Sequence, residues 1–337
     1  MKMRMRQAIA QAIADEMRAD PTVVLMGEDI AEAEGPFKTS EGLLEEFGSL
    51  RVRDTPISEM GFCGAALGAA ATGLRPIVEI MFVEFIGVAL DMVTTEAAKF
   101  RYLSGGQYTA PLVVRASTGA GLGFGAQHSQ TLESWFISCP GLKVVVPSGA
   151  RTAYGLLRSA IRDPDPVVVL ESRVLYAERE ETVTGEEGVI PLGVGELLRS
   201  GTAATVVSIG QMVGRAAQAL ENGGVSADLI DLRTLVPWDR GLVESSVART
   251  GRLVIVEESP YTGGWGTDVA AHVASTCFSS LTAPIVRITC PDVPVPYPAH
   301  LEQVYLPSVD GIVEAISHVV TTGTRPMPWW QKEGFVG

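Results

Sequence analysis

The stretch that decides the fold covers residues 54–85 and reads DTPISEMGFCGAALGAAATGLRPIVEIMFVEF. Pro56 keeps the residue before it extended, and Glu59 then opens a run of small residues that ends at Gly73. Each glycine costs up to ~1 kcal/mol in a helix interior relative to alanine, so close packing or a ligand is needed to explain so many of them. The stretch therefore predicts a tightly packed helix with a carboxylate at its N-terminal end.

Glu59 itself has two interpretations. Ser58 is a candidate N-cap, and an acid in the first turn interacts favourably with the helix dipole, so Glu59 could be a purely structural residue. The other interpretation is a functional carboxyl group at the mouth of a packed helix. The residues by themselves leave both interpretations open.

Apolar runs that fit buried strands alternate with helical patterns along the whole chain. Met5, Ile9, Ile13 and Met17 recur every fourth residue, which predicts an amphipathic first helix. Parallel strands need crossover connections, so the alternation predicts α/β domains whose parallel sheets are covered on both faces. The predicted strands are 23–26, 77–80, 112–115, 143–146, 167–170, 204–208, 228–231, 253–257 and 285–288. The further predicted helices are 61–72, 87–102, 152–162, 212–221, 267–275 and 311–320.

Composition excludes several classes of function. Hydrophobic residues make up 46% of the chain and charged residues 19%, which is typical of a globular enzyme. The net charge of −13 argues against a nucleic-acid or anionic-membrane surface. The four cysteines lack a Cys-x-x-Cys pair and no secretion signal is visible, so a cytoplasmic protein with reduced thiols is expected. A length of 337 residues predicts two domains.

His128 is the histidine whose place in the chain points to chemistry. It follows a glycine-rich loop after a predicted strand, and ligands bind at the carboxyl ends of strands in open α/β sheets. A loop histidine without a role is the alternative. Residues 121–126 read GLGFGA and match a loose dinucleotide fingerprint. No helix clearly opens there and no strand-end acid follows about 20 residues later, so nicotinamide binding is not expected.

Motifs outside the first stretch carry a family resemblance. With GEDI at 27–30, QHSQ at 127–130 and PGLKVVVPS at 140–148, the chain resembles the β subunit of the thiamine-diphosphate-dependent E1 component of 2-oxo acid dehydrogenase complexes, over nearly its whole length. The resemblance implies two doubly wound α/β domains. A transketolase-like pyrimidine-binding domain at 1–185, a linker at 186–195, a transketolase C-terminal-type domain at 196–325 and a tail at 326–337 are expected.

The resemblance also implies which residues meet the cofactor. Thiamine diphosphate supplies an electron sink, and the protein supplies a carboxyl group at N1′ of the aminopyrimidine. Glu59 matches that group, and its burial among Met60 and Phe62 is expected to favour the protonated form. Phe85 matches an aromatic residue that packs on the pyrimidine, and Met81 a residue near the same ring. Both also fit an ordinary role in the core.

Further positions follow from the same resemblance. His128 matches an active-site histidine that serves substrate binding or proton transfer during acyl transfer to lipoyl. Ser138 stands where many relatives carry a second histidine, at the entrance for the lipoyl arm. Glu28 matches an acid at the cofactor-side subunit contact. A potassium site made of main-chain carbonyls is implied at Leu112, Ala160, Ile161, Asp163 and Asp165.

The implied enzyme needs partners. The chain lacks the Gly-Asp-Gly motif that binds the magnesium of thiamine diphosphate, so an E1 α subunit is expected to hold Mg²⁺ and the diphosphate in an α2β2 heterotetramer. A lipoyl-bearing E2 core, and indirectly E3, would complete the complex. Residues 81–91, 97–102 and 126–130 resemble acetoin dehydrogenase β subunits more than pyruvate or branched-chain ones, although the sequence leaves all three substrates open. The alternative is a non-catalytic assembly subunit with the same fold.

Overall fold

The computed structural model describes residues 1–332, which form two units. The first unit comprises Met1–Thr118, Trp135–Leu192 and Thr234–Pro237. The second comprises Gly119–Ser134, Gly193–Arg233 and the chain from Trp238 onward. These units differ from the predicted domains in two segments, because residues 119–134 belong to the second unit and residues 234–237 to the first. The end of the predicted tail, residues 333–337, lies outside the described residues.

The strands of the chain follow one another in the order in which they are numbered. They are β1 (Lys2–Arg4), β2 (Val23–Gly27), β3 (Val52–Asp54), β4 (Arg75–Ile80), β5 (Val113–Thr118), β6 (Lys143–Val145), β7 (Val167–Ser172), β8 (Arg179–Glu181), β9 (Glu196–Arg199), β10 (Thr205–Ser208), β11 (Asp228–Asp231), β12 (Thr234–Val236), β13 (Leu253–Pro260) and β14 (Val286–Cys290).

The helices are numbered in the same way. They are α1 (Met5–Ala19), α2 (Leu43–Phe47), α3 (Glu59–Ala71), α4 (Phe100–Leu103), α5 (Glu133–Ile137), α6 (Ala150–Arg162), α7 (Gln211–Asn222), α8 (Arg240–Thr250), α9 (Gly266–Thr276), α10 (Ala299–Tyr305) and α11 (Val309–Thr322). Within residues 1–332, none of these helices combines the length and the apolar character that a membrane crossing requires.

A seven-stranded sheet in the order β12-β6-β7-β5-β4-β2-β3 forms the centre of the first unit. All its neighbouring strands are parallel except β12, which pairs antiparallel with β6 at one edge. The four residues that predicted the first helix, Met5, Ile9, Ile13 and Met17, are buried in α1, which packs against α6. Strands with apolar residues on both faces therefore lie in a covered parallel sheet, as their sequence predicts.

The second unit is built on a five-stranded sheet in the order β14-β13-β10-β11-β9. The four strands from β14 to β11 are parallel, and β9 pairs antiparallel with β11 at the edge. Apolar residues of α7 and α11 pack on this sheet and form a separate core. The predicted α/β class, with two units that are each built on a mostly parallel sheet, is confirmed.

One predicted helix is wrong. Residues 87–102 form no continuous α-helix but a succession of short segments of different helix types. They are a 3₁₀ turn that ends at Gly87, a π-helical segment at Asp91–Glu96, a second 3₁₀ turn at Ala97–Lys99, and the short α4. The run Val93, Thr94 and Thr95 is β-branched, and such side chains lose rotamer freedom in a regular helix. The periodicity is helical, but the hydrogen-bond pattern is mixed.

Candidate active site

Three neighbouring strands of the first unit bring the predicted cofactor residues to one edge of the sheet. β3, β2 and β4 lie side by side and run parallel, so their carboxyl ends meet. Glu28 directly follows β2, Met81 directly follows β4, and Glu59 follows β3 after the short segment 55–58. In open α/β sheets this is the edge at which ligands bind.

Glu59 is the first residue of α3 and is buried, with 7% of its surface exposed. The backbone N–H of Thr55 donates to the Gly27 carbonyl at 2.9 Å, which ties the segment before the helix to β2. Ser58 occupies the predicted N-cap position, but its side chain makes no cap hydrogen bond. Met60 is 49% exposed, so its expected share in burying Glu59 is wrong. Successive helical residues point about 100° apart, which turns Met60 outward.

Glu28 is coupled electrostatically to Glu59. Burial raises the pKa of Glu28, the charges of Glu59 and Asp29 raise it further, and a hydrogen bond from the Ser58 backbone lowers it. Within residues 1–332, Glu28 Oε1 is buried and has no hydrogen-bond partner. Carboxyl groups that repel each other in a partly buried place favour a state in which one keeps its proton. This edge is therefore suited to holding a proton.

Aromatic rings accompany the carboxyl pair. Phe85 lies in the turn Val83–Gly87, and its ring packs edge-on against Phe82 with centroids 5.7 Å apart. Phe82 in turn packs against Phe37 at 5.8 Å and lies 4.8 Å below the guanidinium carbon of Arg173. Phe85 is partly exposed, so one end of this aromatic group remains accessible.

Met81 is held by its backbone. Its carbonyl accepts a hydrogen bond from the Ser117 hydroxyl, and its side chain is partly exposed. The structure thus brings Glu28, Glu59 and Met81 to one edge, with Phe85 in the turn that follows.

His128 belongs to the second unit and lies in the loop between β5 and α5. Its backbone N–H donates to the Gly125 carbonyl at 3.4 Å, and its side chain is partly buried. The base of the loop is closed by a hydrogen bond of 3.0 Å from the Gly119 N–H to the Gln130 carbonyl. His128 is therefore presented by a loop whose two ends are joined.

A cavity of about 750 Å³ adjoins this loop within the second unit. Ser129 and Leu132 line it from the loop, and Glu258, Asp292 and Tyr305 line it from the rest of the unit. Ser129 Oγ is buried and, among the described residues, has no hydrogen-bond partner. Sequence patterns did not point to the cavity, because its walls come from segments more than a hundred residues apart in the chain.

Comparison with known proteins identifies the family. The models "Transketolase, pyrimidine binding domain" and "Transketolase, C-terminal domain" match residues 1–178 and 193–312. The pyruvate dehydrogenase E1 component subunit beta of Rhizobium meliloti (strain 1021) is 47% identical, over 94% of this chain and 70% of that protein. Its namesake from Rickettsia felis is 42% identical, over 95% and 98%. The chain belongs to the E1 β subunit family of 2-oxo acid dehydrogenase complexes.

Other E1 β subunits carry a different substrate in their name. The 2-oxoisovalerate dehydrogenase subunit beta 2 of Arabidopsis thaliana is 43% identical, over 94% of this chain and 89% of that protein. A solved split gene transketolase, described as an inactive beta4 tetramer, superposes with a TM-score of 0.77 at 23% identity, over 95% of this chain and 98% of that one, and shows the fold alone. As an E1 β subunit, the chain is an oxidoreductase component of a family that depends on thiamine diphosphate.

Cationic side chains from other segments contact the loop that is predicted to bind potassium in this E1 β subunit. Arg75 Nη1 donates to the carbonyls of Ile161 at 3.0 Å and Asp163 at 3.2 Å. The Asp163 carboxylate lies 2.6 Å from Lys143, and Asp165 lies 2.5 Å from Arg101.

Two other predicted carbonyl ligands also have donors. Leu112 O accepts from the Val167 N–H at 2.9 Å, and Ala160 O accepts from the Asp163 N–H at 3.2 Å. These contacts give potassium no support, and the ion stays a prediction.

Proposed function

We propose that this E1 β subunit contributes Glu59 as the acid that activates thiamine diphosphate. The observation that carries the proposal is the buried Glu59 at the first residue of α3, coupled electrostatically to Glu28. When bound, the cofactor supplies the electron sink for cleaving the bond next to a carbonyl group. Glu59 donates a hydrogen bond to N1′ of the aminopyrimidine and shares its proton there. Glu28, whose pKa is raised by burial and by the charge of Glu59, adds a second carboxyl group that can hold a proton at this edge.

The apolar and imidazole groups have distinct tasks in this proposal. Phe85 and Met81 pack along the pyrimidine and exclude water from the Glu59 proton, which strengthens its hydrogen bond. His128 binds the substrate carbonyl or moves a proton during transfer of the acyl group to lipoyl. An imidazole suits this task because its ordinary pKa of about 6.5 lies near neutral pH.

We infer that an α subunit completes the site. The relatives named above are all beta subunits, which supports a heteromeric E1 enzyme, proposed here as α2β2. Within residues 1–332, no group of three or more His, Cys, Asp or Glu side chains is arranged to hold a metal ion. In the proposed enzyme the Mg²⁺ and the diphosphate are therefore held by α.

The proposed substrate is a 2-oxo acid, with pyruvate first because the relatives that are 46–47% identical to this chain are pyruvate dehydrogenase subunits. Acetoin is the second candidate, supported by the resemblance of residues 81–91, 97–102 and 126–130 to acetoin dehydrogenase β subunits. In either case the acyl group passes to lipoyl on an E2 core, and E3 reoxidises the lipoyl group. A cytoplasmic location stays a prediction.

Reconstitution with the α subunit tests the proposal. The purified pair is given thiamine diphosphate, Mg²⁺ and in turn pyruvate, 3-methyl-2-oxobutanoate and acetoin, and reduction of an electron-accepting dye is measured. We expect turnover with one substrate, followed by acylation of a lipoyl domain with the same substrate. Turnover that is absent with all three, in a pair that assembles, would instead support the non-catalytic assembly subunit. A Glu59→Gln pair is the control for contaminating activity.

A further inference from the structure

The glycine-rich loop before His128 directs its backbone N–H groups at two carboxylates of its own unit. Ala120 donates to Glu258 Oε1 at 2.6 Å. Gly121 and Gly123 donate to the two oxygens of Glu302, at 2.8 Å and 2.9 Å. Glu302 lies on α10 and is only 3% exposed. A single buried carboxylate therefore binds two N–H groups of the loop.

The sequence of the loop fits this arrangement. Gly119, Gly121, Gly123 and Gly125 all have positive φ, at +91°, +113°, +73° and +73°. Alternating left-handed residues turn successive N–H groups to one side and form a concave anion site. In a dinucleotide fingerprint such groups face a phosphate. Here they face carboxylates of the same chain, which gives a physical reason why GLGFGA is not a nicotinamide motif.

Glu258 is fixed on its other side as well. Gln211 Nε2 donates to Glu258 Oε2 at 2.6 Å and to the Ala120 carbonyl at 3.2 Å. A side chain added at Gly119 would meet Glu258 Oε1 at 2.8 Å, so only glycine allows the backbone at this position to approach the carboxylate so closely. The loop is thus held at residues 119–123, with His128 five residues beyond.

We propose that Glu302 is a positioning residue that holds the loop in the conformation in which His128 acts. The inference rests on the proposed role of His128. Charge-assisted hydrogen bonds from N–H groups to a carboxylate are about twice as strong as neutral ones, and a buried N–H that loses its acceptor is costly. Loss of the Glu302 carboxylate frees Gly121 and Gly123 and lets the imidazole leave its place. Glu302 itself does not meet the substrate.

The test is a double-mutant cycle in the assembled E1 enzyme. Glu302→Gln presents one oxygen and an NH₂ group to two N–H donors, so one donor loses its partner. We expect acylation of a lipoyl domain to slow on the order of tenfold to a hundredfold, as small displacements of a catalytic group do. Exchange of the C2 hydrogen of the cofactor, which reports Glu59, should stay within about twofold of wild type. Glu302→Asp should restore part of the transfer rate, since it keeps the charge.

The decisive arm repeats Glu302→Gln in a His128→Ala background. If Glu302 acts through His128, the second substitution adds little to the first. Full additivity of the two losses, or an unchanged transfer rate in Glu302→Gln, overturns the inference. A His128→Ala enzyme that transfers normally overturns the proposed role of His128 instead, so the two failures are distinguishable.

Glu257→Gln is the matched control for stability. Glu257 precedes Glu258 on β13, is fully buried and accepts hydrogen bonds from Arg287 and Gly266, not from the loop. It should lower the unfolding midpoint without slowing transfer in the folded enzyme. Equal losses of transfer in Glu257→Gln and Glu302→Gln at equal unfolding midpoints would show a general structural effect and overturn the inference.

Discussion

At the scale of single residues, Glu59 and His128 should fail at different steps. Glu59→Gln keeps the size and a hydrogen bond but removes the transferable proton, so exchange of the cofactor's C2 hydrogen should fall with the overall rate. His128→Ala should slow the overall rate and leave that exchange largely intact. Removal of one general acid or base costs ~100-fold to 10,000-fold. Measurement of C2 exchange by NMR on the assembled enzyme separates them. Equal loss of exchange in both, with the cofactor bound, would contradict the assignment.

Glu133 gives a pH-dependent prediction. It is 4% exposed, and burial together with the charges of Glu258 and Glu257 raises its pKa from 4.5 to about 8. Between these values the unfolded chain has lost the proton that the folded chain retains, so Glu133 lowers the free energy of unfolding as pH rises, by up to ~1.4 kcal/mol per pH unit. Below pH 4.5 the Glu133 carboxyl is protonated in both the folded and the unfolded chain, so its ionisation takes nothing from the free energy of unfolding.

Glu133→Gln should therefore gain stability relative to wild type as pH rises through that window, and the gain should level off above about pH 8. Calorimetric unfolding midpoints of both proteins across the window provide the check. Parallel pH curves for the two proteins would show that Glu133 titrates normally.

Residues near a recognisable motif could be predicted, and residues that act through packing could not. Glu59 opens a glycine-rich helix and His128 follows a glycine-rich loop, so local sequence marks both positions. Glu302 has no such mark, because it lies 181 positions beyond Gly121 in the chain and the two meet only in the folded structure. The chemical signal was nevertheless present in the loop itself, since alternating glycines expose N–H groups that need an acceptor.

At the scale of elements, α3 presents a surface of small residues. Gly61, Ala65 and Gly68 are exposed in this chain, and a side chain added at Gly68 meets nothing within 4 Å. Gly64 differs, because an added side chain meets Met92 Sδ at 3.3 Å. Gly64 is therefore packed inside the chain, while Gly61, Ala65 and Gly68 leave an open face on which another backbone could pack closely.

Gly68→Leu should leave the unfolding midpoint of the isolated chain unchanged or raise it, since leucine favours helix over glycine. It should impair assembly with the α subunit if that face packs on α. Gly64→Leu is the contrasting variant. It should lower the free energy of unfolding of the isolated chain by the ~1–3 kcal/mol typical of overpacking, and its unfolding midpoint with it. Size-exclusion chromatography of each variant mixed with the α subunit measures how much of it assembles. Unchanged tetramers of Gly68→Leu would show that this face is not a subunit contact.

Elements with a strong period were predictable, and elements set by pairing were not. The buried strands β4, β5, β7, β10, β11 and β13 lie where apolar runs predict them, because a strand covered on both faces needs apolar residues at every position. β12 was missed, since this edge strand has three residues and owes its existence to the strand beside it. The segments at 91–99 were predicted as part of one α-helix because their apolar residues recur with an α-helical period. Their hydrogen bonds are instead of the π and 3₁₀ types.

At the scale of the whole molecule, the isolated chain should bind thiamine diphosphate weakly. The described residues offer carboxyl and aromatic groups for a pyrimidine and no cluster for a metal ion. Phosphate groups contribute much of the affinity of such cofactors through metal and N–H contacts. Titration calorimetry of the chain with and without Mg²⁺ measures this. Micromolar, magnesium-dependent binding by the chain alone would contradict the proposed division of the site between two subunits.

The antiparallel edge strand β12 has a consequence for how such proteins can be recombined. It comes from residues 234–236, yet it completes the sheet of the first unit beside β6. A single crossover between two related genes near residue 190 would join the sheet of one parent to the outer strand of the other. A polypeptide that stops there would leave the β6 edge bare, and bare edges recruit other chains. Exchange of the complete first sheet therefore requires a cut on each side of residues 234–237 in addition to the cut near residue 190.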